Sequence, residues 1–336
     1  MTTDLGKEAP SVGTITMNYG EAIADALKIE MRRDPNVYIA GEDVGKFGGS
    51  FGVTGYGVFA EFPDRVLDTP ISETAIVGHA VGAAAAGLRP AVEILFMDFL
   101  PICMDELCNQ AAKVHYLFGG QLKCPMVLRT ALGAGMGTAA HHSQSLEAMI
   151  CHTAGLKTVI PATPYDAKGL LISAIRDDDP VVFLEHKMLY SVKGEVPEGE
   201  YTIPIGKADI KRKGTHVTVV TWSKMLGVAL RAAEQLALEG IELEVLDLRT
   251  LVPLDKETLL SSVRKTNRLI VLHEAPRTGG FAGEICAVVT EEAFSSLKAP
   301  FRRVTGADIP VPVSPPLERF YIPSEESLIR AVKEIV

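Results

Sequence analysis

A chain of 336 residues that is 47% hydrophobic and 22% charged has the composition of a globular protein and the length of two domains. Its formal net charge is −9, without a basic run or interleaved aromatics, which excludes a nucleic-acid-binding surface. The longest uncharged stretches are rich in Ala and Gly and shorter than a membrane span, so no membrane segment is expected.

The N-terminus, MTTDLGKEAPSVG, has no apolar signal core, and residues 1–16 read as a flexible arm. VYIAGE (37–42) and RVLDTP (65–70) are strand candidates. The run TAIVGHAVGAAAAGL (74–88) holds no acid, Lys or Arg and predicts a helix whose small residues allow close packing, in the core or against another chain, with Glu73 at its mouth. RPAVEILF (89–96) is rich in strand formers, MDELCNQAAKVHYLF (104–118) has helical periodicity, and PMVLRTAL (125–132) is an apolar strand. LKTVIPA (156–162) and PVVFLEH (180–186) bracket a helix at residues 164–177. Apolar strands without alternation, separated by helices, predict a parallel sheet covered on both faces.

Residues 191–206 break that rhythm with Pro, Gly and charge and read as a linker. A second series follows. It has a strand at 215–223, a helix at 224–240 that stops on Gly, an alternating strand at 241–251, and helix, strand, helix and strand over residues 255–306. The expected fold class is α/β. Two three-layer α/β/α domains with mostly parallel sheets are expected over residues 17–190 and 207–336.

The five cysteines, Cys103, Cys108, Cys124, Cys151 and Cys286, form no CxxC pair, and their count is odd. Reduced buried thiols in a cytoplasmic protein fit this better than zinc or disulfides. The loop LGAGMGTAA (132–140) matches GxGxxA, but the acid that a dinucleotide site needs on the next strand is missing. Its glycines more simply let backbone approach something closely. HHSQSLE (141–147) follows at a strand end, the edge where open α/β sheets bind ligands. His141 and His142 lack metal-ligand spacing, and Ser143 and Ser145 lack a nucleophile elbow. On spacing alone, either histidine could be catalytic or packing. Glu73 is either a carboxylate favoured by a helix N-terminus or the partner of a ligand donor. His273 and Glu274 read as a strand-end pair at an interface.

Four segments carry a resemblance. They are LDTPISETAIVGHAVGAAAAGLRPAVEI, AAHHSQSLEAM, GLKTVIPATPYDAKGLLISAIRDDDPVVFLEHKMLY and VPEGEYTIPIGKADIKRKG. Together the chain resembles the β subunits of thiamine-diphosphate-dependent 2-oxo acid and acetoin dehydrogenases, from about Thr16 to Val336. The resemblance implies a transketolase-like pyrimidine-binding domain followed by a transketolase C-terminal-like domain. It implies that Glu73 hydrogen-bonds the aminopyrimidine of thiamine diphosphate and favours its imino tautomer, which takes a proton from the thiazolium carbon. Phe99 matches the aromatic that packs on the pyrimidine, and His142 the histidine that assists acyl transfer to a lipoyl arm. Met126, Ala174, Ile175, Asp177 and Asp179 match a structural potassium loop, although Asp179 stands where relatives often carry Asn.

The GDG signature of the magnesium–diphosphate site does not occur in the sequence. The chain is therefore expected to supply the pyrimidine half of a shared site, with magnesium and diphosphate held by an α subunit. The expected partners are that α subunit in a heterotetramer of two α and two β chains, a second β subunit, and a lipoyl acyltransferase core. The expected reaction is decarboxylation of a pyruvate-like 2-oxo acid, or cleavage of acetoin, with acyl transfer to lipoamide. The alternatives are a self-sufficient transketolase-like enzyme and a non-catalytic interaction subunit of the same fold.

Overall fold

The computed structural model describes residues 13–49 and 51–336, so most of the arm expected over residues 1–16 lies outside the described residues. Strand β1 (Thr14–Asn18) leads into a helix, Tyr19–Arg33, closed by a reciprocal cap between Asn18 and Glu21. Then come β2 (Val37–Gly41), β3 (Val66–Asp68), β4 (Arg89–Phe96), β5 (Val127–Leu132), β6 (Lys157–Val159) and β7 (Val181–His186). The remaining strands are β8 (Lys193–Pro197), β9 (Asp209–Arg212), β10 (Val217–Thr221), β11 (Leu243–Asp247), β12 (Thr250–Val252), β13 (Leu269–Pro276) and β14 (Arg302–Gly306).

The first sheet has the order β12-β6-β7-β5-β4-β2-β3, and the second β14-β13-β10-β11-β9. All pairs are parallel except β12 with β6 and β9 with β11. Side chains alternate faces with period two. Val37, Ile39, Val127, Val181 and Phe183 therefore pack under the helices Tyr19–Arg33 and Pro164–Arg176. Val92, Ile94, Leu128, Val182 and Leu184 face the other way, into a core continuous with Val220, Leu246 and Val271 of the second sheet. A third core lies between the far face of the second sheet and the helices Met225–Ala237 and Glu325–Lys333. The two sheets thus share one apolar interior, and polar groups between them are withdrawn from water.

Three segments differ from the sequence expectations. Lys193–Pro197, inside the stretch read as a linker, pairs antiparallel with β1, which satisfies the backbone of both segments. The expected strand at 241–251 is broken at Arg249, whose φ of 56° turns the chain so that Thr250–Val252 joins the first sheet. The expected helix at 104–118 is a π-helical turn, Glu106–Ala111, followed by a short helix, Val114–Leu117. The Ala112 N–H reaches back five residues to the Leu107 carbonyl at 3.1 Å. The helix at the mouth of the apolar run spans Glu73–Ala85 and buries only Ile76, Val77, Ala80 and Ala84. Its other face, with Thr74, Ala75 and Gly82, is open. Among the described residues, no helix is long and apolar enough to cross a membrane. All five cysteines are free thiols.

Candidate active site

Because β2, β3, β4, β5 and β7 run parallel, the loops after them gather at one edge of the sheet. Glu42 follows β2, and Glu73 is the first residue of the helix after β3. Ser72 makes no side-chain cap bond, so the helix N-terminus favours the Glu73 carboxylate through its dipole alone. Glu73 is half-buried, and among the described residues no side chain pairs with it. Burial first, then Asp43 and Glu73, hold the Glu42 carboxyl above its usual range. Thr74, beside Glu73, donates to the Ile102 carbonyl at 3.0 Å, tying this helix to the turn Met97–Cys103 that carries Phe99.

Phe99 stands edge-on to His142, with ring centroids 5.4 Å apart, and Phe96 does the same at 4.8 Å. Phe96 ends β4, Phe99 follows it and the histidine follows β5, so adjacent strands bring them together. Lys187, after β7, is buried beneath them. Its ammonium donates to Thr138 Oγ1 at 2.6 Å, to Ser143 Oγ at 3.3 Å, and to the His142 carbonyl. Burial holds Lys187 below its ordinary pKa. From the other side, Asp98 Oδ1 accepts from the N–H groups of Ser143 and Gln144 at 3.2 and 3.1 Å. His142 is therefore presented by a loop fixed at both ends. His141 points out and is exposed.

The glycine-rich loop serves the second domain rather than a dinucleotide. The Ala134 N–H donates to Glu274 at 2.5 Å, and the Gly135 and Gly137 N–H groups donate to Glu318 at 2.7 and 3.1 Å. Glycine is required at 133, where φ is 93° and a Cβ would lie 2.1 Å from His186 Nε2. Glu274 also accepts from His186 at 3.1 Å. His273 beside it is fully buried and stacks on Trp222 at 5.1 Å, with neither ring nitrogen paired, and burial lowers its pKa to about 4. Of the two, Glu274 ties the second domain to the first, through Ala134 and His186.

Glu147 lies in the same contact, accepting from Trp222 Nε1 at 3.3 Å while its other oxygen has no partner. Burial raises its pKa from 4.5 to about 7. A carboxyl raised in the folded state takes up protons on folding, so stability is retained below the unfolded value and lost as pH rises from 4.5 to about 7. Glu147→Gln should stabilise the chain at pH 8 by on the order of 1–3 kcal/mol and make little difference near pH 4.5. Urea midpoints of both proteins at the two pH values check this. A pH-independent difference would refute the assignment.

A buried ion network supports the edge from below. Arg129 on β5 donates to Glu185 on β7 at 2.7 and 2.9 Å and to Glu93 on β4 at 2.9 Å. Tyr190 donates to Glu185 and stacks on Phe51 at 4.5 Å, and Phe51 in turn meets Phe96 edge-on at 6.2 Å. The network thus continues into the aromatic wall around His142.

The segment expected to hold potassium lies at the opposite, amino-terminal edge. The Met126 carbonyl accepts from the Val181 N–H at 3.0 Å, and that of Ala174 from Asp177 at 3.3 Å. The Ile175 and Asp177 carbonyls accept from Arg89 at 2.9 and 3.0 Å. Lys157 pairs with Asp177 at 2.7 Å and Asp179 at 3.0 Å.

Sequence reasoning singled out Glu73, Phe99 and His142 but missed Phe96, Asp98, Lys187 and Glu318. Phe96 and Asp98 share the FMDF run with Phe99, so their proximity was readable. Lys187 and Glu318 come from sequence-distant segments, and no local pattern marks them.

Comparison with known proteins follows the same division. Residues 15–193 match the pyrimidine-binding domain of transketolase, and residues 206–328 match the transketolase C-terminal domain. The acetoin:2,6-dichlorophenolindophenol oxidoreductase subunit beta of Cupriavidus necator is 50% identical, covering 93% of this chain and 95% of its own. The 2-oxoisovalerate dehydrogenase subunit beta of Bacillus subtilis is 43% identical, covering 95% and 98%. The pyruvate dehydrogenase E1 component subunit beta of Rickettsia felis is 46% identical, covering 94% and 97%. Among solved structures, a split-gene transketolase described as an inactive beta4 tetramer superposes with a TM-score of 0.79 over 95% of this chain and 98% of its own. At 23% identity it bears on the fold alone.

Proposed function

We propose, for a chain that belongs to the family of transketolase-like dehydrogenase β subunits, the role of the pyrimidine-binding half of a thiamine-diphosphate enzyme. The enzyme decarboxylates a pyruvate-like 2-oxo acid or cleaves acetoin, and passes the acyl group to a lipoyl arm. The observation that carries this reading is the unpaired Glu73 carboxylate, linked through Thr74 to the turn that presents Phe99 to His142.

These residues fit the cofactor. A half-buried carboxylate without a partner is an acceptor waiting for an N–H donor, and the Phe99 ring offers an apolar wall for a flat heterocycle. Thiamine diphosphate, when bound, supplies the electron sink for cleavage beside a carbonyl. Glu73 would hold the aminopyrimidine and govern its proton. Phe99 would pack on the ring. His142, held by Lys187 and Thr138 at its carbonyl, would move a proton during acyl transfer.

The partner is an α subunit, in a tetramer, that holds magnesium and the diphosphate. The open face of the Glu73–Ala85 helix and the exposed side chains of Ile71 and Ile102 beside it suit cover by another chain. A second β subunit and a lipoyl acyltransferase core complete the proposed assembly. A potassium ion at the loop of Met126, Ala174, Ile175, Asp177 and Asp179 would share its oxygens with Arg89 and Lys157. No step of the reaction passes through it.

Titration of thiamine diphosphate and magnesium tests this reading, first into the chain alone and then into the chain mixed with a cognate α subunit. The expected result is no binding alone and saturable binding in the mixture. Tight binding by the isolated chain would instead favour a self-sufficient transketolase-like enzyme.

A further inference from the structure

Lys187 places a charge where an apolar side chain would be less costly to bury. It is 3% exposed, and its ammonium bonds to neutral oxygens rather than to a carboxylate. All three of its donors go to one loop: to Thr138 Oγ1 at 2.6 Å, to Ser143 Oγ at 3.3 Å and to the His142 carbonyl. Thr138 Oγ1 also lies 3.0 Å from that carbonyl and 2.9 Å from Ser143 Oγ, which ties both ends of the 138–143 loop to the ammonium. With its donors committed, Lys187 has no proton to offer a reaction. It acts on the shape of the loop.

That shape is strained. Ala139 has a φ of 58°, in the left-handed region that a Cβ disfavours. The His142 N–H reaches back to the Ala139 carbonyl at 3.5 Å. Such backbone persists where surrounding bonds over-determine it, and it gathers at functional sites. Here the surrounding bonds come from two opposite charges. Lys187 holds the loop from one side. Asp98 Oδ1 holds it from the other, through the N–H groups of Ser143 and Gln144 at 3.2 and 3.1 Å. Between them the His142 ring is set edge-on to Phe96 at 4.8 Å and to Phe99 at 5.4 Å. Lys187 Nζ also lies 5.9 Å from the centre of the Phe96 ring, so one ammonium supports both the loop and the aromatic that His142 packs against.

We propose that Lys187 is the positioning residue for acyl transfer, holding the 138–143 loop so that the His142 ring meets the departing sulfur of the lipoyl arm. This rests on the function proposed above. In that transfer the lipoyl S–S bond breaks. One sulfur bonds to the substrate-derived carbon, which is oxidised from the aldehyde to the carboxylic-acid level. The other sulfur leaves with the electron pair of the broken bond and takes a proton from His142. The proton released as the carbonyl forms restores His142, so the step balances.

Two assays of the reconstituted complex, started from the same substrate, separate this role from a structural one. The first follows acyl transfer to a lipoylated domain of the acyltransferase. The second uses 2,6-dichlorophenolindophenol, which takes the two electrons without a lipoyl arm while the acyl group leaves to water as the carboxylate. Lys187→Met should lower transfer about tenfold or more, since small misplacements of a reacting group are costly, while dye reduction falls by less than about threefold. Thr138→Val removes the hydroxyl that the ammonium shares with the His142 carbonyl. It should show the same split more weakly, and it serves if Lys187→Met does not assemble. Thr138→Ser keeps the hydroxyl and should transfer as the unsubstituted complex does. Because Lys187 acts through His142, adding Lys187→Met to His142→Ala should lower transfer no further than His142→Ala alone. Equal losses in the two assays would make Lys187 a support of the fold and overturn the proposal. So would normal transfer in both Lys187→Met and Thr138→Val, or a further loss in the double variant. Absence of thiamine-dependent dye reduction by the unsubstituted complex would instead refute the function proposed above, and this proposal with it.

Discussion

Glu73→Gln should lower turnover of the reconstituted complex by about 10²–10⁴-fold, the range typical for loss of a positioned proton-transfer group. The amide keeps the size and the acceptor oxygen of the carboxylate but not its negative charge. In the chain as it stands, that charge sits half-buried in the first turn of a helix without a pairing side chain. Within the chain only the helix dipole favours it, so assembly should be unchanged and stability should fall by no more than about 1 kcal/mol. Steady-state turnover and sedimentation of the complex, measured together, check both halves of the expectation. Full turnover in the variant would remove Glu73 from the chemistry and favour a non-catalytic interaction subunit.

Arg129→Met should destabilise the chain by about 3–5 kcal/mol, the cost of leaving buried charge uncompensated. Arg129 is 1% exposed and Glu185 1%, so its removal takes the guanidinium from a carboxylate that water cannot reach. Burial already pushes the Glu185 carboxyl upward, and Arg129 opposes that push. Without Arg129 the carboxyl rises further. The variant's deficit should therefore be largest at neutral pH and shrink as pH falls and the carboxylates take up protons. Urea unfolding at neutral and mildly acid pH measures both. A deficit that does not depend on pH would mean that lost packing, and not orphaned charge, dominates. Because Tyr190 and Phe51 connect the network to Phe96, the variant should also loosen the aromatic wall around His142.

The strands that build the site were legible because their signal is local. VYIAG, RPAVEILF, VLRTAL and VVFLEH are short, mostly apolar runs rich in strand formers, and all four became central parallel strands buried along most of their length. One element was misread where tertiary context overrode local pattern. The run at 104–118 keeps a helical period, yet it forms a π-helical turn and a short helix whose Tyr116, Leu117 and Phe118 stay exposed. The alanine- and glycine-rich helix was read as suited to close packing in the core or across a subunit boundary, because small apolar residues suit either. Its composition does not say whether the neighbour belongs to the same chain.

The glycine loop shows the division most clearly. Its GxGxxA spacing announced that backbone would meet something at close range, and the missing acid on the next strand argued against a dinucleotide. That the something is a pair of carboxylates, Glu274 and Glu318, from residues 140 and 183 positions further along, was not written in any local pattern. Hydrophobic period, turn residues and recurring motifs act over a few residues, so the succession of most strands and helices, the domain class and the candidates Glu73, Phe99 and His142 could be read from the chain. The Lys187 cradle, the Arg129 network and the Glu147 contact depend on which strands become neighbours. Charge and hydrogen bonding act through space, and only folding sets those distances.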